Sequence, residues 1–150
     1  MSSLHDIDAV IGDHTGLSRT VLEYALELKR IVDQAKAPGF DADGWTPLAR
    51  FVATDDFTRI GPFKDEMTWP DYVTFLTAWA SNNHWECSFK SITETGNLVF
   101  LELEERMAPG DSAGAVNSLS VYEFGDAERL HRLDVYLQMA PRGPATPSTS

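Results

Sequence analysis

Asp134 is the first residue to question for chemistry. It sits in the middle of the run Arg129-Leu-His-Arg-Leu-Asp-Val-Tyr-Leu-Gln138, whose composition is that of a β-strand. A carboxylate is disfavoured among such β-formers. If the face that carries it is covered, it needs hydrogen-bond partners or must shift toward its neutral form. A carboxyl tuned toward neutrality by an apolar pocket can take up and return a proton, which is the task of a general acid–base. The structural alternative is an ion pair with Arg132 or Arg106, or an outward, solvated position. Alternation puts Leu130, Arg132, Asp134, Tyr136 and Gln138 on one face, and His131, Leu133, Val135 and Leu137 on the other.

A second charged set lies in Phe100-Leu-Glu-Leu-Glu-Glu-Arg106. Here Phe100, Glu102, Glu104 and Arg106 share one face, and Val99, Leu101, Leu103 and Glu105 the other. Either Glu104 and Arg106 serve a site, or the charged residues form a wet or dimer-facing ladder. Tyr24 falls on the apolar stripe of a helix, so its ring is buried and its hydroxyl needs a partner. Trp69, Tyr72, Trp79 and Trp85 are core or ligand-lining rings. His84, at a helix-to-strand junction, is a surface histidine or a group at a pocket mouth. No metal spacing is present: His5 with Asp6, and Asp13 with His14, lack it. Cys87 has no basic neighbour in sequence to activate it. No phosphate-cradling glycine loop or GxSxG elbow occurs.

The elements that must position these residues follow from periodicity. Val21, Tyr24, Ala25, Leu28, Ile31 and Val32 predict a helix over residues 18–36, with Ser18 as N-cap and Pro38-Gly39 as its stop. Thr46-Pro47 opens a short helix burying Leu48, Phe51 and Val52. Phe57 to Ile60 reads as a strand ended by Gly61-Pro62, and a helix from about Thr68 buries Tyr72, Phe75, Leu76 and Trp79. The period then switches to two. Trp85–Thr93 and Leu98–Met107 form a hairpin about Gly96-Asn97. Pro109 to Gly114 is a loop, and Asn117–Phe124 and Arg129–Gln138 complete four antiparallel strands. Helices first and strands after give an α+β fold with the helices on one sheet face. The expected domain spans 18–140, with an extension at 1–17 and a disordered tail at 141–150.

Composition narrows the function. The 150 residues are 43% hydrophobic and 11% aromatic, enough for one packed core. A formal charge of -11, from 12 basic and 23 acidic residues, argues against nucleic acid or an anionic membrane as partner. No apolar run approaches a membrane span and no secretory signal is seen. One cysteine forbids an internal disulfide, and the expected compartment is the cytoplasm.

The chain resembles the nuclear transport factor 2-like superfamily, in particular its polyketide cyclase (SnoaL-like) branch. The matching pieces are Leu48-Ala-Arg-Phe-Val-Ala-Thr-Asp-Asp-Phe-Thr-Arg59, Trp69-Pro-Asp-Tyr-Val-Thr-Phe75 and Arg132-Leu-Asp-Val-Tyr136, within a resemblance from roughly Ser18 to Gln138. It implies a cone: a curved antiparallel or mixed sheet wrapped around N-terminal helices, a cystatin-like α+β barrel with a hydrophobic pocket, usually in a homodimer. Ketosteroid isomerases of this superfamily carry a base before the proline that ends the first strand, and an acid on the penultimate strand. Those slots hold Gly61 and Ser120 here. Epoxide hydrolases pair Arg-x-Asp with an aspartate on the last strand; Arg106 and Asp134 match, while Ala108 replaces the middle acid. The cyclase acid/base follows a hydrophobic residue on the last strand, and Leu133-Asp134 matches it.

The resemblance therefore implies acid–base chemistry without a cofactor or metal on a hydrophobic small molecule. Asp134, Arg106 and Glu104 would be catalytic, and Tyr24, Trp69, Tyr72, Trp79, His84 and Tyr136 would hold the substrate. The missing carboxylates at positions 61, 120 and 108 favour the alternative, a binding module with no chemistry. The expected assembly is a two-fold homodimer through the outer sheet faces. That expectation sets Val99, Leu101, Leu103, Leu133, Val135 and Leu137 outward, with Arg106 and Asp134 facing the helices.

Overall fold

A computed structural model describes residues 6–106 and 114–139. The expected tail at 141–150 and all of the 109–114 loop except Gly114 lie outside them. Helix α1 spans Ile7–Val10 within the expected N-terminal extension, and buries Ile7. The long helix α2, Gly16–Gln34, buries Val21, Leu22, Tyr24, Ala25, Ile31 and Val32, as the apolar stripe requires. Its N-cap is Thr15, not Ser18. Ser18 lies in the first turn, where its backbone N–H and hydroxyl both donate to Glu94 Oε1, at 2.8 and 2.9 Å. A carboxylate from a distant strand thus satisfies an orphan amide and the positive end of the helix, so no local cap is needed.

Helix α3, Thr46–Ala49, carries Pro47 in its first turn. Helix α4, Trp69–Asn82, begins with a reciprocal capping box between Thr68 and Asp71 and buries Trp69, Tyr72, Leu76 and Ala80. Phe75 does not join them: it is 40% exposed. Trp45, 1% exposed, donates its indole N–H to Thr77 Oγ1 at 2.9 Å and so ties the segment before α3 to α4.

The strands are β1 Thr58–Ile60, β2 Glu66–Met67, β3 Glu86–Thr95, β4 Leu98–Arg106, β5 Val116–Phe124 and β6 Leu130–Gln138. They form one curved, unclosed sheet in the order β2-β1-β6-β5-β4-β3. The long strands pair antiparallel, whereas β1 lies parallel to β6, with Arg59 opposite Leu133 and Ile60 opposite Asp134. Two bulges correct the face of the flanking residues. Lys90 is the extra residue on β3 and His131 on β6. The second lets Leu130 turn inward beside Phe124, although simple alternation sends it outward with Arg132.

The face that meets the helices is the reverse of the expected one. Val99, Leu101, Leu103, Tyr122 and Leu133 are buried in the core beneath the helices. Registered pairs share a face, so Glu104 and Asn117, Glu102 and Leu119, Val121 and Asp134, and Leu119 and Tyr136 lie together on the outer side. The physical reason is plain once both faces are compared. A one-residue choice of parity moves the whole hydrophobic set, and the more apolar set wins the core. Asp134, Glu104 and Arg106 are therefore not carried into the cone.

Candidate functional site

Between α2, α4 and the inner sheet face lies a cavity of about 350 Å³. Its body is apolar, with Leu28, Leu76, Trp79, Leu103, Leu133 and Val135 in the wall. Pro62 and Phe63, the latter 90% exposed, stand at the β1–β2 turn beside it. Into this wall come a few polar groups: Arg59 from β1, Asp65 from the turn, Glu105 from β4, Ser120 and Tyr122 from β5, Tyr24 from α2 and Tyr72 from α4. A mostly apolar hollow with a few convergent polar groups is the usual form of a small-molecule site.

The tyrosines are the most buried of these groups, at 2% exposure for Tyr24, 5% for Tyr72 and 6% for Tyr122. Burial pushes all three hydroxyls above the ordinary tyrosine range, so they stay protonated and can donate. Arg59 pulls each of them partly back, and Glu105 pushes Tyr72 and Tyr122 further up. Tyr72 thus lies between a cation and an anion. The neighbouring Tyr72 raises the Tyr24 hydroxyl further, and Tyr24 Oη is buried with no hydrogen-bond partner among the described residues. An orphan of this kind costs about 1–3 kcal/mol. The rings of Tyr122 and Phe51 both pack edge-on against Tyr24, at centroid distances of 5.8 Å.

Glu105 accepts a 2.7 Å hydrogen bond from the Trp85 indole N–H, which fixes one carboxylate oxygen in the wall. Its inward position continues the apolar row Val99, Leu101, Leu103, and that break in an apolar face was the sequence signal for it. Arg59 lies with its guanidinium carbon 5.0 Å from the Tyr72 ring centre and 5.7 Å from that of Phe75. Its Nε is buried with no hydrogen-bond partner among the described residues. Nothing in its sequence context singles it out, since its surroundings are assembled by the parallel β1–β6 pairing. Asp65 holds a peculiar place. A side chain at Gly61 would start 2.5 Å from Asp65 Oδ1, so the carboxylate fills the space that any residue but glycine would need at position 61.

Of the residues singled out from the sequence, Tyr24, Tyr72, Trp79 and Trp85 line this cavity, and so does Ser120. Trp69 is packed against Phe57 and Tyr72 in the core and does not line it. His84 is exposed at the end of α4. Tyr136 is 57% exposed on the outer face. Asp134 lies on that face too, with Oδ2 accepting from Arg132 Nε at 3.2 Å and Oδ1 buried without a partner among the described residues. Arg106 donates to Glu104 at 2.8 Å and to Ser88 at 3.0 Å, and lies 3.6 Å from Glu86. It borders a separate, more polar recess with Asp6, Lys29 and Cys87. The three expected catalytic residues are thus tied into outer-face ion pairs, with none in the apolar cavity. Among the described residues no cluster of His, Cys, Asp and Glu could hold a metal, and no helix is long and apolar enough to cross a membrane.

No protein-family model and no curated protein matches the chain. Solved structures do. An NTF2-like protein of unknown function from Mesorhizobium loti superposes with a TM-score of 0.58 at 12% identity, over 83% of this chain and 96% of that one. A steroid delta-isomerase from Pseudomonas aeruginosa gives 0.53 at 14% identity, covering 80% and 79%. An LEH-like epoxide hydrolase from M. tuberculosis gives 0.53 at 16%, covering 75% and 84%. At these identities the likeness is one of architecture, and it agrees with the helix-filled curved sheet described above. The chain has the nuclear transport factor 2-like fold.

Proposed function

We propose that the chain is a small-molecule enzyme working by acid–base chemistry without a cofactor on a hydrophobic substrate bound in the cavity. The observation that carries this is a carboxylate, Glu105, set into an apolar wall beside three buried tyrosine hydroxyls. Glu105 takes and returns the proton. Tyr24 and Tyr72 donate hydrogen bonds to the oxygen on which charge develops, in a site screened from water. The steroid isomerase and epoxide hydrolase among the structural neighbours support the enzyme class and leave the reaction open. The polyketide cyclase branch is supported by sequence likeness only, with Leu133-Asp134 as its functional match. Because Leu133 faces the helices and Asp134 the outside, the acid–base role within that reading passes to Glu105. Glu105→Gln keeps an acceptor for Trp85 and removes titration. On a substrate found by screening isomerisations, dehydrations and epoxide openings, it should lower turnover by about 10² or more with little change in binding. Turnover at the wild-type rate would refute the assignment.

A second reading, a binding module without chemistry, has its own support: Glu105 is already engaged by Trp85. A wild-type protein that binds apolar ligands and turns none over would favour it. For assembly we propose a two-fold homodimer through the outer sheet face. That face carries half-buried Leu98, Phe100, Leu119 and Val121 among its charged side chains, in place of the residues first expected there. Light scattering at micromolar concentration giving the 16.7 kDa monomer mass would rule this out.

A further inference from the structure

We propose that the ligand of this cavity is a hydrophobic monoanion, an apolar body bearing a carboxylate, and that its head group docks on Arg59. The inference rests on the reading of the cavity as a small-molecule site and is independent of the role given to Glu105.

Arg59 is the one cation among the described residues that line the cavity. The ion pairs of the described residues engage Arg19, Lys29, Arg30, Arg106 and Arg132; of the described cations outside them, Lys36, Arg50, Lys64, Lys90 and Arg129 are exposed, whereas Arg59 is half-buried and faces the cavity. In a chain with 23 acidic residues against 12 basic ones, an inward arginine without a carboxylate is an exception. Two candidates are close at hand. Asp65 lines the same cavity, yet its Oδ1 is turned toward its own turn, 3.3 Å from Phe63 N. Glu105 is held by Trp85. The guanidinium instead lies over aromatic faces, which orient it without neutralising it, while its Nε–H is buried with no hydrogen-bond partner among the described residues. A planar fork over aromatic rings beside an apolar hollow suits a carboxylate, which it can bind through parallel hydrogen bonds. The charge of the ligand is also bounded. With one cation facing it and the carboxylates of Asp65 and Glu105 in the same wall, a dianion such as a phosphate monoester meets net repulsion. The remaining wall, with Leu28, Leu76, Trp79, Leu133 and Val135, takes the apolar body. At about 350 Å³ the cavity is at the small end of ligand pockets, which run from roughly 300 to 1,000 Å³.

The test is calorimetric titration at pH 7 with 2-naphthoate and its neutral isostere 2-naphthamide. The wild-type chain should bind the acid at least about tenfold more tightly than the amide. Arg59→Met keeps the stem over Tyr72; it should bring the acid down to the affinity of the amide and leave the amide unchanged. Arg59→Lys should retain part of the preference, and high salt should narrow it in the wild type, so the proposal stays testable if Arg59→Met fails to fold. Equal affinity for the two probes, no binding of either, or a preference that survives Arg59→Met would overturn it. Glu105→Gln should keep or widen the preference. Unchanged turnover in that variant would sink the acid–base reading while leaving the anion site standing.

Discussion

Asp134→Val should make the protein more stable. The carboxylate lies on the outer sheet face with Ile60 on one side and Val121 on the other, and among the described residues only its Oδ2 is paired. The partner, Arg132, has a side chain 47% exposed, so that pair is worth at most about 1 kcal/mol. Against it stands Oδ1, buried without a partner among the described residues, at a cost of about 1–3 kcal/mol. Valine in mid-strand adds up to about 1 kcal/mol. The balance favours the variant by roughly 1–2 kcal/mol, or about 3–6 °C in Tm for a domain of this size. Urea unfolding followed by tryptophan fluorescence measures it, with an unchanged m-value confirming that the transition is the same one. Catalytic turnover, once a substrate is known, should be unaffected. A loss of 1 kcal/mol or more would refute the reasoning, because it would mean that Oδ1 has a partner; dissociation of the variant into monomers would identify that partner as a second copy of the chain.

Three other outcomes are expected. Glu94→Gln should lose roughly 0.5–1 kcal/mol, since Glu94 accepts from Ser18 at the start of α2 and is exposed to solvent. Those bonds from Ser18 hold the Glu94 carboxyl below its ordinary range, so its contribution is complete above the ordinary glutamate pKa and is lost as pH falls through the depressed value; a wild-type and mutant pair with parallel acid unfolding curves would contradict this. Thr77→Val removes the acceptor of the buried Trp45 indole N–H and should cost about 1–3 kcal/mol by urea unfolding, whereas Thr77→Ser should cost less. The Cys87 thiol is pushed up to about 12, first by burial and then by the Glu105 carboxylate opposite it on β4. Iodoacetamide at pH 7 should therefore react about 10³-fold more slowly than with a free thiol, and faster in Glu105→Gln. The same raised thiol is worth stability that is complete below its ordinary value near 9 and lost as pH climbs toward 12. Equal alkylation rates in the two proteins would remove Glu105 from the thiol's surroundings.

The elements were legible because their signals are local. The apolar stripe from Val21 to Val32, the Thr68–Asp71 capping pair and the Gly96–Asn97 turn each settle a helix or hairpin from a few adjacent residues. The face of the sheet was not, because the aligned aspartate on β6 and the apolar row Val99-Leu101-Leu103 on β4 point to opposite faces. Burial of three aliphatic side chains on one strand dominates any single carboxylate, and it carries Glu105 and Leu133 inside with them. Arg59 and Asp65 are a different kind of miss. They enter the site through the parallel β1–β6 pairing and a two-residue strand, Glu66–Met67, and no periodicity in the sequence announces either.

The place of β6 in the sheet has a consequence for how the protein is made. It is the last described strand to be synthesised, yet it lies between β1 and β5, and it alone joins the β1–β2 pair to the other three strands. Until it emerges from the ribosome, the chain holds two unconnected fragments of sheet: a three-stranded meander whose β5 edge is left raw in addition to its β3 edge, and a short hairpin that is too small to persist on its own. The side of the cavity that carries Leu133 and Val135 does not yet exist, and Leu103 and Tyr122 face water or a chaperone. Ligand binding can therefore begin only after translation of this segment ends. The slow step in folding should be the insertion of a strand between two partners far apart in sequence, at the point where exposed edges are most prone to pair with a neighbouring chain.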